Sequence, residues 1–170
     1  MLKLFGGLLL TGGGLAAGLS AAGELARRLR DLMVWVGALG EMERAMAYSL
    51  PPLPHLLTEL SGRAEGAPGQ ALKLAGEGLE RLGEYSFAEI WADALSACGG
   101  ELNREDMALL LDLGAVLGRW DGEAQCRAIA AVRSGLEENA ARLRRRLERE
   151  GRVYGVVGLS AGVFLTILFL

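Results

Sequence analysis

The side chains that could do chemistry in this 170-residue chain are few and scattered. The one histidine, His55, follows Pro54 at a predicted helix start. No Cys or acidic pair stands near it at ligand spacing, so a metal site has no donor set. Cys98 and Cys126 lie far apart in separate helical patterns, without a CxxC or a histidine neighbour. They read as small buried or half-buried thiols in a reducing compartment. Glu105 and Asp106 are the nearest thing to a general acid–base pair. Adjacent helical positions point about 100° apart, however, and do not easily share one substrate. Neither a GxSxG turn nor a GxxxxGK(S/T) loop occurs. The expectation is a protein that is not an enzyme, with no catalytic, cofactor-binding or metal-ligating residues.

Charge patterning points to binding instead. Residues 45–132 carry six basic and thirteen acidic side chains, net −7, whereas residues 133–152 carry seven and four, net +3. The acidic part would avoid anionic lipid and favour a basic protein surface. Asp106, Asp112 and Asp121 are its candidate partner contacts. In the basic part, Arg142, Arg145, Arg149 and Arg152 fall on one helical stripe with Arg146 beside it. Glu138 and Arg142, and Glu148 and Arg152, are spaced as favourable i,i+4 pairs. The stripe is either a solvated face that also signals topology at an anionic leaflet, or a contact strip for an acidic partner. Nucleic acid is a poor fit, because no aromatics interleave with the arginines.

The elements that must position these residues are bracketed by two stretches without charge. Residues 4–23 and 153–170 contain no Asp, Glu, Lys, Arg or His. Each is close to the roughly 20 apolar residues that cross a bilayer as a helix. The expected organisation is a first transmembrane helix over 1–23, a polar domain over 24–152 and a second transmembrane helix over 153–170. A cleaved signal peptide is the alternative for the first segment, with Ala21, Ala22 and Gly23 as small residues at its end. Its basic residues fall on the wrong side for that, with Lys3 before the apolar run and Arg27, Arg28 and Arg30 after it. Arginines flank both spans on the domain side, so the positive-inside rule puts the domain in the cytoplasm and both termini outside it. The spacings Gly14/Gly18 and Gly158/Gly162 predict close packing of the spans on each other or on another protomer. Gly114/Gly118 predicts the same closeness within the domain, with a notch for a partner as the alternative.

Within the domain the apolar spacing is helical throughout, and no alternation is long enough for a strand. Leu25, Leu29, Leu32, Val36, Leu39 and Met46 predict a helix over 24–50 that runs out of the first span and ends at Pro51, Pro52 and Pro54. Helices follow over 54–61, stopped by Gly62, and over 69–83. Ser86 and Glu89 form a capping box for a helix over 87–97, ended by Gly99 and Gly100. Asn103 caps a fifth over 107–117, and Asp121 caps a sixth. In the sixth, Ile129, Val132, Leu136, Ala140, Leu143 and Leu147 make a packing seam. The fold class is therefore all-α: a bundle of about six helices whose first and last members continue into the spans.

The segment from Leu102 to Gln125, followed by Ile129, contains an acidic pair and then LLxLGxxLGxxDxxxQxxxI. It resembles the stage III sporulation protein AB family of endospore-forming bacteria. The opening MLKLFGGLLL and the segment from Glu43 to Pro54 are similar to that family too, so the resemblance covers nearly the whole chain. It implies a bundle of about six helices, similar to the cytoplasmic domain of the platform proteins of type II secretion and type IV pilus machines. It further implies a place in the mother-cell membrane around the forespore, within the channel complex that links the two cells. The implied partners are a secretion-type ATPase, other membrane or ring-forming subunits and the lipid bilayer, and a homo-oligomer stays open. A scaffold that recruits membrane subunits through its spans, without ATPase coupling, is the alternative role. This chain is richer in Gly and Ala than the family pattern, which leaves the details of packing open.

Overall fold

The computed structural model describes the backbone of residues 2–98, 100–117 and 121–169, and the side chains of residues 23–98, 100–117 and 121–149. The described residues form six α-helices and no strand: α1 Leu2–Ser49, α2 Leu53–Arg63, α3 Gly66–Gly78, α4 Phe87–Cys98, α5 Arg104–Leu117 and α6 Gly122–Phe169. A 3₁₀ turn, Leu79–Arg81, extends α3. The chain divides into two compact units, Arg27–Ala140 and Met1–Ala26 with Ala141–Leu170.

Within Arg27–Ala140, α2 packs on α3, α3 on α4 and α4 on α5. The buried face of α1 is set by Leu32, Trp35, Leu39, Met42 and Met46, which recur at steps of three and four. The predicted stripe shared Leu32, Leu39 and Met46 with this face but ran through Val36, which is half-buried, and missed the fully buried Trp35. The Trp35 ring meets Trp91 of α4 edge-on, with centroids 5.9 Å apart. Its Nε1 has no hydrogen-bond partner, so ring packing alone seats it. From α6, Ile129, Val132, Leu136 and Ala140 are buried along the predicted seam.

Local signals set most helix ends. Ser86 Oγ accepts a hydrogen bond from the Glu89 N–H (3.3 Å), and Glu89 Oε2 accepts one from the Ser86 N–H (2.8 Å), which closes the capping box on α4. Helix α1 stops where Leu50 turns to φ 43° and Pro51 and Pro52 follow. A leucine in the left-handed region costs about 1–2 kcal/mol, yet its side chain lies so close to α6 that a Cβ on Gly122 would sit 2.7 Å from Leu50 Cδ2. Gly62 does not stop α2, which runs on to Arg63, because Leu56, Leu57 and Leu60 are buried and hold the helix from one side. Conversely, α3 ends earlier than the predicted residue 83, at Gly78. There the Ile90 side chain leaves no room for a Cβ, which would lie 2.5 Å from Ile90 Cγ2.

Among the described residues no helix is long and apolar enough to cross a membrane. The uncharged segments expected to span lie in α1 and α6, outside the residues whose side chains are described, and so do Gly14, Gly18, Gly158 and Gly162.

Candidate functional site

The residues of the LLxLGxxLGxxDxxxQxxxI pattern converge on the joint between α4, α5 and α6. Leu110, Leu113, Leu117 and Ile129 are core residues. Gly114 lies flat against Trp91: a Cβ there would fall 2.4 Å from Trp91 Cδ1 and 2.9 Å from Cγ. That clearance lets the indole reach the helix backbone, where Trp91 Nε1 donates to the Leu110 carbonyl at 2.7 Å in a buried bond. Asp121 Oδ1 accepts from the Glu123 and Ala124 N–H groups, both at 3.1 Å, and so caps α6. One turn later, buried Gln125 donates from Nε2 to the Leu117 carbonyl at 3.0 Å, which satisfies an orphan acceptor at the end of α5. Gly114 and Leu110 thus join α5 to α4, Asp121 and Gln125 build the α5–α6 corner, and Leu111 alone of the described pattern leucines is exposed. Gly118 lies outside the described residues.

Asp106 is the centre of a second joint. Its carboxylate has no solvent exposure. Oδ2 accepts from Arg28 Nε (2.9 Å) and Nη2 (2.7 Å), and Oδ1 accepts from Asn139 Nδ2 at 2.7 Å. Its own N–H donates to Asn103 Oδ1 at 2.8 Å, which is the N-cap of α5. One carboxylate therefore fastens α1, α5 and α6 together, and charge-assisted bonds of this length are the strong kind. The expectation that Asp106 meets a partner is corrected here, because a carboxylate closed off from solvent on all sides offers no oxygen to an outside group. Beside the clasp, Asp31 Oδ2 accepts from the Glu101 N–H at 2.9 Å, tying α1 to the α4–α5 loop.

The other expected contacts sit differently. Asp112 is exposed on α5, and Asp121 is exposed while serving as a cap. Arg142, Arg145 and Arg149 are exposed on α6, and the Arg152 side chain lies outside the described residues. Arg144 pairs with Glu148 at 3.5 Å. An arginine the sequence reading passed over, Arg133, bridges α6 to α1 through Glu43 (2.9 Å) and pairs along its own helix with Glu137 (2.6 Å). The hydrogen bond from Arg133 to Glu43 is the main reason its guanidinium is held even more firmly protonated than usual. His55 and Glu105 are exposed, and Cys98 and Cys126 are half-buried free thiols. No three metal-ligating side chains cluster among the described residues.

A surface feature that the sequence did not announce is an open apolar groove of about 780 Å³. Its walls are Met46, Leu50, Pro51, Leu53 and Pro54 from the α1–α2 turn, Leu79, Leu82 and Phe87 around the start of α4, and Leu117 and Gly122 at the α5–α6 corner. Its signal in the sequence was divided among three segments, each unremarkable alone.

The fold and its joints define an all-helical bundle whose distinctive residues build and brace the scaffold. The chain belongs to the stage III sporulation protein AB family, whose model matches residues 3–170. A solved structure titled stage III sporulation protein AB is similar in fold, with a TM-score of 0.65 at 19% identity over 72% of this chain and 97% of that one. No curated protein matches the chain.

Proposed function

We propose that this protein is a membrane platform component of the secretion-like channel between mother cell and forespore, docking a cytoplasmic secretion-type ATPase to the channel. The observation that carries the reading is the match to the sporulation family over residues 3–170, which takes in both uncharged ends. Those ends are proposed to span the mother-cell membrane around the forespore, with both termini outside the cytoplasm and the bundle inside it. Arginines at both domain-side flanks favour that orientation. The bundle then acts as a non-catalytic foot that holds the ATPase beside other membrane and ring-forming subunits. The test is retention of the purified ATPase by the full chain in detergent, with labelling of Cys98 in membrane vesicles of known orientation. Labelling of Cys98 only from the non-cytoplasmic face would reverse the topology, and an ATPase that is never retained would end the docking reading.

The Gly-rich ends favour a second reading, a scaffold that gathers membrane subunits through its spans alone. Replacing both ends with unrelated apolar helices separates the two: sporulation that survives the exchange removes this second reading.

A further inference from the structure

We infer that the groove at the α1–α2 turn receives a segment of a partner protein whose apolar side chains are flanked by lysines or arginines. This inference rests on reading the chain as a docking protein and adds which surface docks and what chemistry it accepts.

The groove has the size of a ligand pocket but lacks the means to orient a small polar ligand. The two polar side chains on its walls are already engaged, Ser86 with Glu89 and Gln125 with the Leu117 carbonyl. What it offers is apolar surface that solvent reaches. Leu82 is 58% exposed and Leu50 60% exposed, while Tyr48, two residues from Leu50, is 97% exposed. Tyr85, three residues from Leu82, is exposed as well, so four of the seven exposed large apolar residues among those described lie at or near this groove in sequence. Such a concentration marks an interaction site more often than scattered single residues do. An amphipathic helix is the natural occupant of a groove walled by Leu, Met, Phe and Pro.

Charge then selects the partner. Within three residues of a wall residue the sequence holds seven acidic side chains and four basic ones. Glu80, Glu84 and Asp121 stand exposed in that set. Of its other acids, Glu43, Glu77 and Glu123 are paired with Arg133, Lys73 and Arg127, and of its arginines Arg81 lies 4.2 Å over the Tyr85 ring. The exposed Glu80, Glu84 and Asp121 therefore carry the acidic character of the rim. An apolar floor with an acidic surround suits basic flanks and repels acidic ones.

The test uses the full chain in zwitterionic nanodiscs and a fluorescein-labelled helical peptide with leucines at i, i+4 and i+7 flanked by four lysines. A second peptide carries glutamate in place of each lysine. The lysine peptide is expected to bind at least tenfold more tightly than the glutamate peptide by fluorescence polarisation. Leu82→Glu should cost tenfold or more in its affinity, Glu80→Lys with Glu84→Lys about threefold or more, and Leu111→Glu, on an exposed site away from the groove, nothing. Circular dichroism of each variant excludes loss of folding. Equal binding of the two peptides, or equal effects of Leu82→Glu and Leu111→Glu, overturns the inference. So does a dimer in sedimentation that Leu82→Glu dissolves and the peptide cannot displace, because the groove then belongs to a second copy. The purified ATPase separates this inference from the docking reading. If it binds wild type and Leu82→Glu alike, docking stands and the groove is not its site. If it binds neither, docking falls while the peptides still judge the groove.

Discussion

Replacing Asp106 by Asn separates a structural carboxylate from a partner-binding one. The substitution keeps the shape and removes the charge. Breaking a buried ion pair costs about 3–5 kcal/mol when both partners are enclosed. Here the Arg28 side chain is 22% exposed, so solvent screens part of the loss and ~2–3 kcal/mol is the better figure for that bond. The new amide has one oxygen and one NH₂ where the carboxylate had two acceptors. Either Arg28 or Asn139 must then face a donor, and an orphaned polar group of this kind costs about 1–3 kcal/mol. The total is ~3–6 kcal/mol, or a fall in Tm on the order of 12–24 °C for a domain of this size. Thermal unfolding of the full chain in detergent, followed by circular dichroism, reads the change. Arg28→Met and the double variant complete a cycle, and the coupling between the two sites should be about 1–3 kcal/mol. An Asp106→Asn protein that melts within a few degrees of wild type while failing to bind a partner would refute the clasp.

Gly114→Ala should destabilise by ~1–4 kcal/mol in the same assay, because the methyl group collides with Trp91 and displaces its bond to Leu110, and the gain in helix propensity of about 1 kcal/mol offsets only part of that. Gly62→Ala should instead stabilise by about 0.5–1 kcal/mol, since nothing lies within 4 Å of the added Cβ on α2. Asp121→Ala should lose about 0.5–2 kcal/mol with the α6 cap, whereas Asp112→Lys, on an exposed face, should change stability by less than ~0.5 kcal/mol. The capping box gives a pH signature: hydrogen bonds from the Ser86 backbone and side chain hold the Glu89 carboxyl below its usual value of 4.5. Its contribution to stability is present in full above the unfolded-state value and fades as pH falls through the lowered folded one. The Tm difference between wild type and Glu89→Gln should therefore be constant near neutrality and shrink on acidification below about pH 4.5.

What the sequence determined by itself is local. Asn103, Asp121 and the Ser86–Glu89 pair were legible as caps because a cap acts on N–H groups two or three residues away. The all-α class and the seam through Ile129, Val132, Leu136 and Ala140 were legible because helical spacing alone puts those residues on one face. Gly114 was legible as a close contact, but not that Trp91 fills the space it leaves. What the tertiary structure decided is everything whose partners lie far along the chain. Asp106 looks like any first-turn acid until Arg28, 78 residues earlier, and Asn139, 33 residues later, close on its carboxylate. Leu50, Leu82 and Leu117 likewise form one wall only after three turns meet. Spacing within a helix fixes which face a side chain takes, but only packing between helices fixes what that face meets, and so whether a charge is a contact for a partner or a pin inside the bundle.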